Sequence, residues 1–168
     1  MAISPNALLI EQAKFVQGLG PVAPSSSTPD FVTMKNASRC TVLISVRNGV
    51  GPVGSAITIT QATDVSNTSG KTLAFDTAYR SINTGPGGNT DVLSSFTVSS
   101  NTFTTDNATA NSDNLYAIEI KETDLDINNG FDCIRVNTGN STNATLAVLY
   151  VLWPQKYGKT SLPSAIAD

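Results

Sequence analysis

The chain has 168 residues, a net charge of −3 and a sequence pI near 4.8, and about a third of its residues are Ser, Thr or Asn. Nucleic-acid binding needs clustered Lys and Arg, and the ten basic residues here are scattered, so DNA or RNA is not expected as the main partner. The sequence holds no His, which excludes a His-dependent catalytic triad or Cys–His pair. We therefore expect a structural or binding protein that has no catalytic residues, no cofactor, no metal and no small-molecule substrate.

The composition also constrains the compartment. An apolar fraction of 40% is enough for one packed core, and the length fits one domain. The N-terminal segment has no basic region, and its apolar run is too short for a signal peptide or a membrane span. We expect synthesis in a cytoplasm and no membrane partner. In that compartment Cys40 and Cys133 are expected to be buried thiols and not a disulfide.

The first element in chain order is predicted to be a short amphipathic helix, with an extended arm as the alternative. Ser4, followed by Pro, is a favourable N-cap, and Gly18 is a favourable stop. Between them Leu8 and Phe15 share one helical face. Residues 18–30 are rich in Pro and Ser and predict a linker.

Alternation of apolar and polar residues with a period of two predicts strands in the rest of the chain. The predicted strands cover residues 39–47, 55–63, 73–75, 78–82, 92–98, 102–105, 115–121, 131–137 and 144–153. Asn-Gly and Gly-Pro turn signals separate many of them. The pattern predicts an all-β protein, an antiparallel β-sandwich of the jelly-roll type. We divide the chain into an N-terminal arm with helix and linker (1–34), a sandwich domain (35–154) and a C-terminal tail (155–168).

One predicted strand, 144–153, is apolar on both faces. Leu149, Val151 and Trp153 occupy the face opposite the one expected to line the core. A strand of this kind needs cover on both sides, either from the N-terminal helix or a loop, or from a neighbouring subunit. The candidate interface residues are Leu8, Phe15, Leu149, Val151 and Trp153.

Two motif-like segments resemble ligand loops only superficially. The stretch from Gly49 to Gly54 matches G-x-G-x-x-G, but a strand follows it where the dinucleotide motif requires a helix, so we predict a hairpin loop. Residues 124–132 resemble a calcium loop, but the glycine comes one place late and position twelve is Arg135. An acidic connection leading into an Asn-Gly turn is predicted, and an incidental calcium site is the alternative.

Four segments carry a family resemblance, in this order: AITITQATDVSNTSGKTLAF, SNTFTT, NLYAIEI and LDINNGFDCIRVNTGNSTNATLAVLYVL. They resemble the head decoration, or cement, proteins of tailed bacteriophages, over roughly residues 35–153. The resemblance implies an accessory capsid protein that binds the outside of the assembled shell and stabilises it against the pressure of packaged DNA.

It also implies the partners and the location. The expected partners are the major capsid protein and further copies of this chain, as a dimer or trimer, and the expected location is the capsid surface of the virion. The family has no catalytic residues to transfer. Two alternatives stay open: a tail, neck or head-fibre component, and a carbohydrate-binding adhesion sandwich.

Overall fold

The computed structural model describes residues 8–24, 26–86, 88, 90–156 and 164–166. Within these ranges the secondary structure consists almost entirely of strands, which confirms the predicted all-β class. The elements are α1 (Leu9–Gln12), β1 (Lys14–Val22), β2 (Val32–Thr33), β3 (Ala37–Asn48), β4 (Ala56–Ala62), β5 (Lys71–Thr72), β6 (Thr77–Ser81), β7 (Ser94–Thr97), β8 (Phe103–Thr104), β9 (Asp113–Lys121), β10 (Cys133–Thr138) and β11 (Ala144–Gln155), with 3₁₀ turns at Glu122–Asp124 and Ile127–Asn129.

The strands form two antiparallel sheets. The large sheet has the order β1-β11-β3-β9-β6-β7, and the small sheet has the order β2-β10-β4-β5, with β8 also paired to β4. Four strand pairs are nested within one another along the chain: β1 with β11, β2 with β10, β3 with β9, and β4 with β5. This nesting across two facing sheets is the jelly-roll arrangement. The β6–β7 hairpin extends the large sheet beyond β9.

The core lies between the two sheets and is built by the alternation seen in the sequence. On β3, every second side chain from Cys40 to Val46 is fully buried, and the same holds on β11 from Leu146 to Leu152. Ile57 and Ile59 close the core from the small sheet. Burying each large aliphatic side chain contributes about 1.5–3 kcal/mol, so this alternation supplies the main driving force for the fold. The predicted inward faces of these strands are confirmed.

Tyr150 links the two sheets through its hydroxyl group. It lies on β11 in the large sheet and is fully buried. Its hydroxyl donates a hydrogen bond to the carbonyl of Asp30 (3.1 Å) and accepts one from the backbone N–H of Val136 on β10 (3.0 Å). Gly18 on β1 lies against the ring, because a Cβ there would come within 2.2 Å of the ring carbon Cε2. The packing of β1 therefore depends on glycine at this position.

The N-terminal prediction needs a correction. Within the described residues, the only helical part of the predicted helix is α1, and the chain from Lys14 to Val22 is the edge strand β1, paired with β11. Ser4, the predicted N-cap, lies outside the described residues. The predicted arm of residues 1–34 therefore contains two strands of the sandwich, which begins at Lys14. Pairing with a distant strand outweighs the local helical spacing, since a short isolated helix is only marginally stable.

The start of the predicted tail is also part of the folded domain. Strand β11 continues to Gln155, and Ala165 is buried against the core. The carbonyl of Ala165 accepts a hydrogen bond from the N–H of Thr33 at 2.8 Å. The short strand predicted at 73–75 instead begins two residues earlier and covers Lys71–Thr72.

The G-x-G-x-x-G stretch is not a hairpin loop. Gly49 to Gly54 connects β3 to β4, and these strands belong to different sheets, so the segment is a crossover loop. The expectation that no helix follows it is confirmed, because Ala56 begins β4. The two cysteines are buried thiols in different sheets, Cys40 on β3 and Cys133 on β10. Burial raises the pKa of Cys40 and keeps it protonated.

Asparagine is abundant partly because the turns require it. Five asparagines in the described part of the chain have positive φ angles: Asn67, Asn83, Asn101, Asn111 and Asn143. Asparagine tolerates this left-handed region better than most residues. Part of the unusual composition thus reflects the many tight connections of a jelly roll.

Candidate interaction surface

The outer face of the large sheet carries an apolar row in register across four strands. Leu149 on β11 is paired with Leu43 on β3, Leu43 with Ala117 on β9, and Ala117 with Tyr79 on β6. Paired residues in an antiparallel sheet point to the same side. Tyr79 remains 37% exposed, whereas Ala117 is buried by its neighbours. We call these four residues the apolar row.

A second row of side chains lies beside the apolar row and contains both apolar and polar residues. Phe15 on β1 is in register with Val151 on β11, and Val151 with Thr41 on β3. Phe15 is 42% exposed. Thr41 is in register with Glu119 on β9 and donates a hydrogen bond from Oγ1 to Glu119 Oε1 at 2.6 Å. The apolar part of this row is therefore at the β1 and β11 side of the sheet.

Trp153 lies at one end of this face and is held there by its polar contacts. Its indole Nε1 donates to Thr41 Oγ1 at 2.8 Å, and the Arg39 guanidinium carbon lies 5.8 Å from the ring centroid. A small cavity of about 120 Å³ separates the indole from α1, lined by Leu9, Gln12, Ala13, Val151, Trp153 and Pro154. The helix thus covers part of the apolar end of β11, while Leu8, Leu9 and Ile10 remain 57–69% exposed.

At the opposite end the face is bordered by charge. Arg47 Nη1 and Asp113 Oδ2 form an ion pair at 2.6 Å across β3 and β9. Both side chains are partly exposed, so the pair contributes little to folding stability. An apolar centre surrounded by hydroxyl groups and charges is the composition of a protein–protein contact surface.

The outer face of the small sheet is different, because its polar side chains form hydrogen bonds with one another. Asn137 Nδ2 donates to Thr58 Oγ1 at 3.2 Å and to Thr60 Oγ1 at 2.8 Å. Arg135 Nε donates to Asn137 Oδ1 at 3.0 Å, and its guanidinium group lies 4.5 Å from the Phe31 ring centroid. In the part of the chain that the structure describes, the outer face of the large sheet presents a row of apolar side chains, and that of the small sheet does not.

The structure brings four of the five candidate interface residues together. Phe15, Leu149, Val151 and Trp153 share the outer face of the large sheet, whereas Leu8 is exposed and immediately precedes α1. The sequence interpretation missed Leu43 and Tyr79. Leu43 could have been found, since it is the one large apolar residue among the polar positions of its strand face.

The acidic segment that resembles a calcium loop is held by protein donors instead. Asp124 Oδ2 accepts the backbone N–H of Lys121 at 2.8 Å, and Asp126 accepts both Lys71 Nζ and Asn129 Nδ2. The hydrogen bond from Lys71 is the main reason why the pKa of Asp126 is lowered. The predicted turn is present, with Gly130 at a φ of 81°. The described residues contain no cluster of three or more His, Cys, Asp or Glu side chains suited to a metal ion.

Among the described ranges, no helix has the length and apolar character needed to span a bilayer. Comparison with protein-family models, with curated proteins and with solved structures gave no match.

Proposed function

We propose that this protein is a non-enzymatic virion protein that decorates or cements the outside of a tailed-phage head. The observation that carries the proposal is the outer face of the large sheet, where the apolar row lies between hydrogen-bonded polar groups and an ion pair. The resemblance of residues 35–153 to head decoration proteins supplies the context. Jelly rolls occur in capsid proteins but also in lectins and cupins, so the fold alone does not decide the function.

The energetics of a shell suit this kind of surface. A few half-buried apolar groups give modest affinity at each site, because association must offset lost translational and rotational freedom. An icosahedral shell repeats the site many times, and contacts between neighbouring copies add avidity without new contacts to the shell. Hydroxyl and amide groups around the apolar row cost less to desolvate than charges do.

Binding to undecorated, expanded heads of the phage that encodes the chain tests the proposal. Purified protein is expected to bind saturably at physiological salt and to raise the temperature at which the heads release DNA. Phe15→Glu and Tyr79→Glu, which place charge on the outer face of the large sheet, are expected to weaken binding at least tenfold. The matched control is Thr72→Glu, on an exposed strand of the small sheet, with binding unchanged.

The copy number in the virion separates a head role from a tail role. Decoration requires hundreds of copies, whereas a tail, neck or fibre component needs only a few. No binding of the wild-type protein to expanded heads, or a low copy number, would overturn the proposal.

A further inference from the structure

The pairing between β6 and β9 stops before either strand ends. Strand β9 pairs with β3 over nine positions, from Asp113 to Lys121. It pairs with β6 only over three, ending at the pair of Ala117 with Tyr79. Thr77, at the start of β6, is instead in register with Thr97 on β7. The β6–β7 hairpin therefore separates from β9 at this point. The last four residues of β9 pair with β3 but not with β6.

A cleft of about 740 Å³ opens where the two strands separate. One wall is formed by Glu119, Ile120 and Lys121 of β9, and the other by Asp76, Thr77 and Tyr79. Phe75 and Val98 supply apolar surface. The volume lies in the range of ligand sites, and one extended chain at the strand spacing of about 4.8 Å from β9 would occupy the gap.

The backbone of β9 is oriented to use this cleft. The N–H of Lys121 points away from β3, because it donates to the carboxylate of Asp124 at 2.8 Å. The carbonyl of Asp113 also points to the β6 side, since it accepts the N–H of Thr84 at 2.7 Å. Backbone groups two residues apart on a strand point the same way, so the N–H and C=O of Glu119 face the cleft.

We infer that the cleft binds an extended peptide segment of another polypeptide, which adds to the large sheet as an antiparallel strand beside β9. Backbone hydrogen bonds to Glu119 supply the attachment, as in other cases of strand addition. The side chains of β9 define the sequence: a basic residue opposite Glu119, an apolar one opposite Ile120 and an acidic one opposite Lys121. Read from the N-terminus, the segment has the pattern acidic–apolar–basic. This inference does not depend on the proposed capsid role.

The probe is a blocked peptide of sequence Thr-Thr-Asp-Val-Lys-Thr-Thr, added to the ¹⁵N-labelled full chain and followed by NMR. We expect saturable shifts of the amide signals of Thr77, Glu119 and Lys121. A peptide with Asp and Lys exchanged is expected to bind roughly 2- to 30-fold more weakly, since two cross-strand charge pairs become repulsive. The double variant E119K/K121E is expected to reverse this preference.

Two further measurements make the test decisive. Methylating the backbone nitrogen of the peptide Lys, which lies opposite Glu119, removes the donor to the Glu119 carbonyl, so binding is expected to be lost. If E119K/K121E does not fold, judged by signal dispersion, K121E alone is expected to reduce the preference. No saturation at 10 mM peptide, equal binding of the N-methylated peptide, or an unchanged preference in the variant would overturn the inference. So would shifts of the same signals by neutral oligosaccharides but not by the peptide.

Discussion

Removing the hydroxyl group of Tyr150 is expected to destabilise the sandwich without changing its packing. The variant Tyr150→Phe keeps the ring but leaves the N–H of Val136 without its acceptor. Val136 is fully buried, so water cannot replace the lost partner, and an unsatisfied buried donor costs about 1–3 kcal/mol. The carbonyl of Asp30 belongs to an exposed residue and can bind water instead, so its loss adds little. The expected loss of unfolding free energy is therefore about 1–3 kcal/mol.

Equilibrium denaturation and thermal unfolding measure this loss. For a domain of this size each kcal/mol lowers Tm by about 2–4 °C, so a fall of about 2–12 °C is expected. The matched control is Tyr79→Phe, which removes a hydroxyl from a side chain 37% exposed and is expected to stay within about 0.5 kcal/mol of the wild type. If Tyr150→Phe also stays within that limit, the hydroxyl does not link the sheets as argued.

Three more outcomes follow from the same region. Gly18→Ala is expected to cost about 1–3 kcal/mol in denaturant unfolding, because its Cβ overlaps the Tyr150 ring, whereas Gly20→Ala, with its Cβ 3.4 Å from the nearest atom, is expected to cost less than half as much. Burial raises the pKa of Tyr150, so above pH 10 the unfolded chain loses the phenolic proton before the folded chain does. The free energy of unfolding is therefore expected to fall with rising pH, by up to about 1.4 kcal/mol per pH unit. The same dependence of unfolding free energy on pH in Tyr150→Phe would contradict this. Deleting residues 1–12 is expected to leave a folded monodisperse domain by gel filtration, while deleting 1–22 removes β1 and is expected to give aggregates.

The sequence predicts the strands whose alternation is regular. On β3, β4, β9 and β11 the inward positions recur with a period of two, and the sequence predicted these inward faces correctly. These strands lie centrally in the sheets, where one face must be apolar.

The elements that sequence could not predict depend on distant partners. Leu8 and Phe15 fit a helical spacing, but Phe15 lies on strand β1, because this segment pairs with β11. The cleft beside Glu119 exists because β6 turns toward β7, and nothing local in residues 77–81 signals this. Leu43 was overlooked because its strand face is otherwise polar, although its residue type was visible.

Electron cryomicroscopy of expanded phage heads incubated with this protein tests the proposed decoration role most directly. The account predicts many symmetric copies in which the outer face of the large sheet, with Leu43, Tyr79 and Phe15, is buried against the shell or a neighbouring copy. A map in which this face points to solvent in every copy, while the polar face of the small sheet makes the contacts, would contradict it.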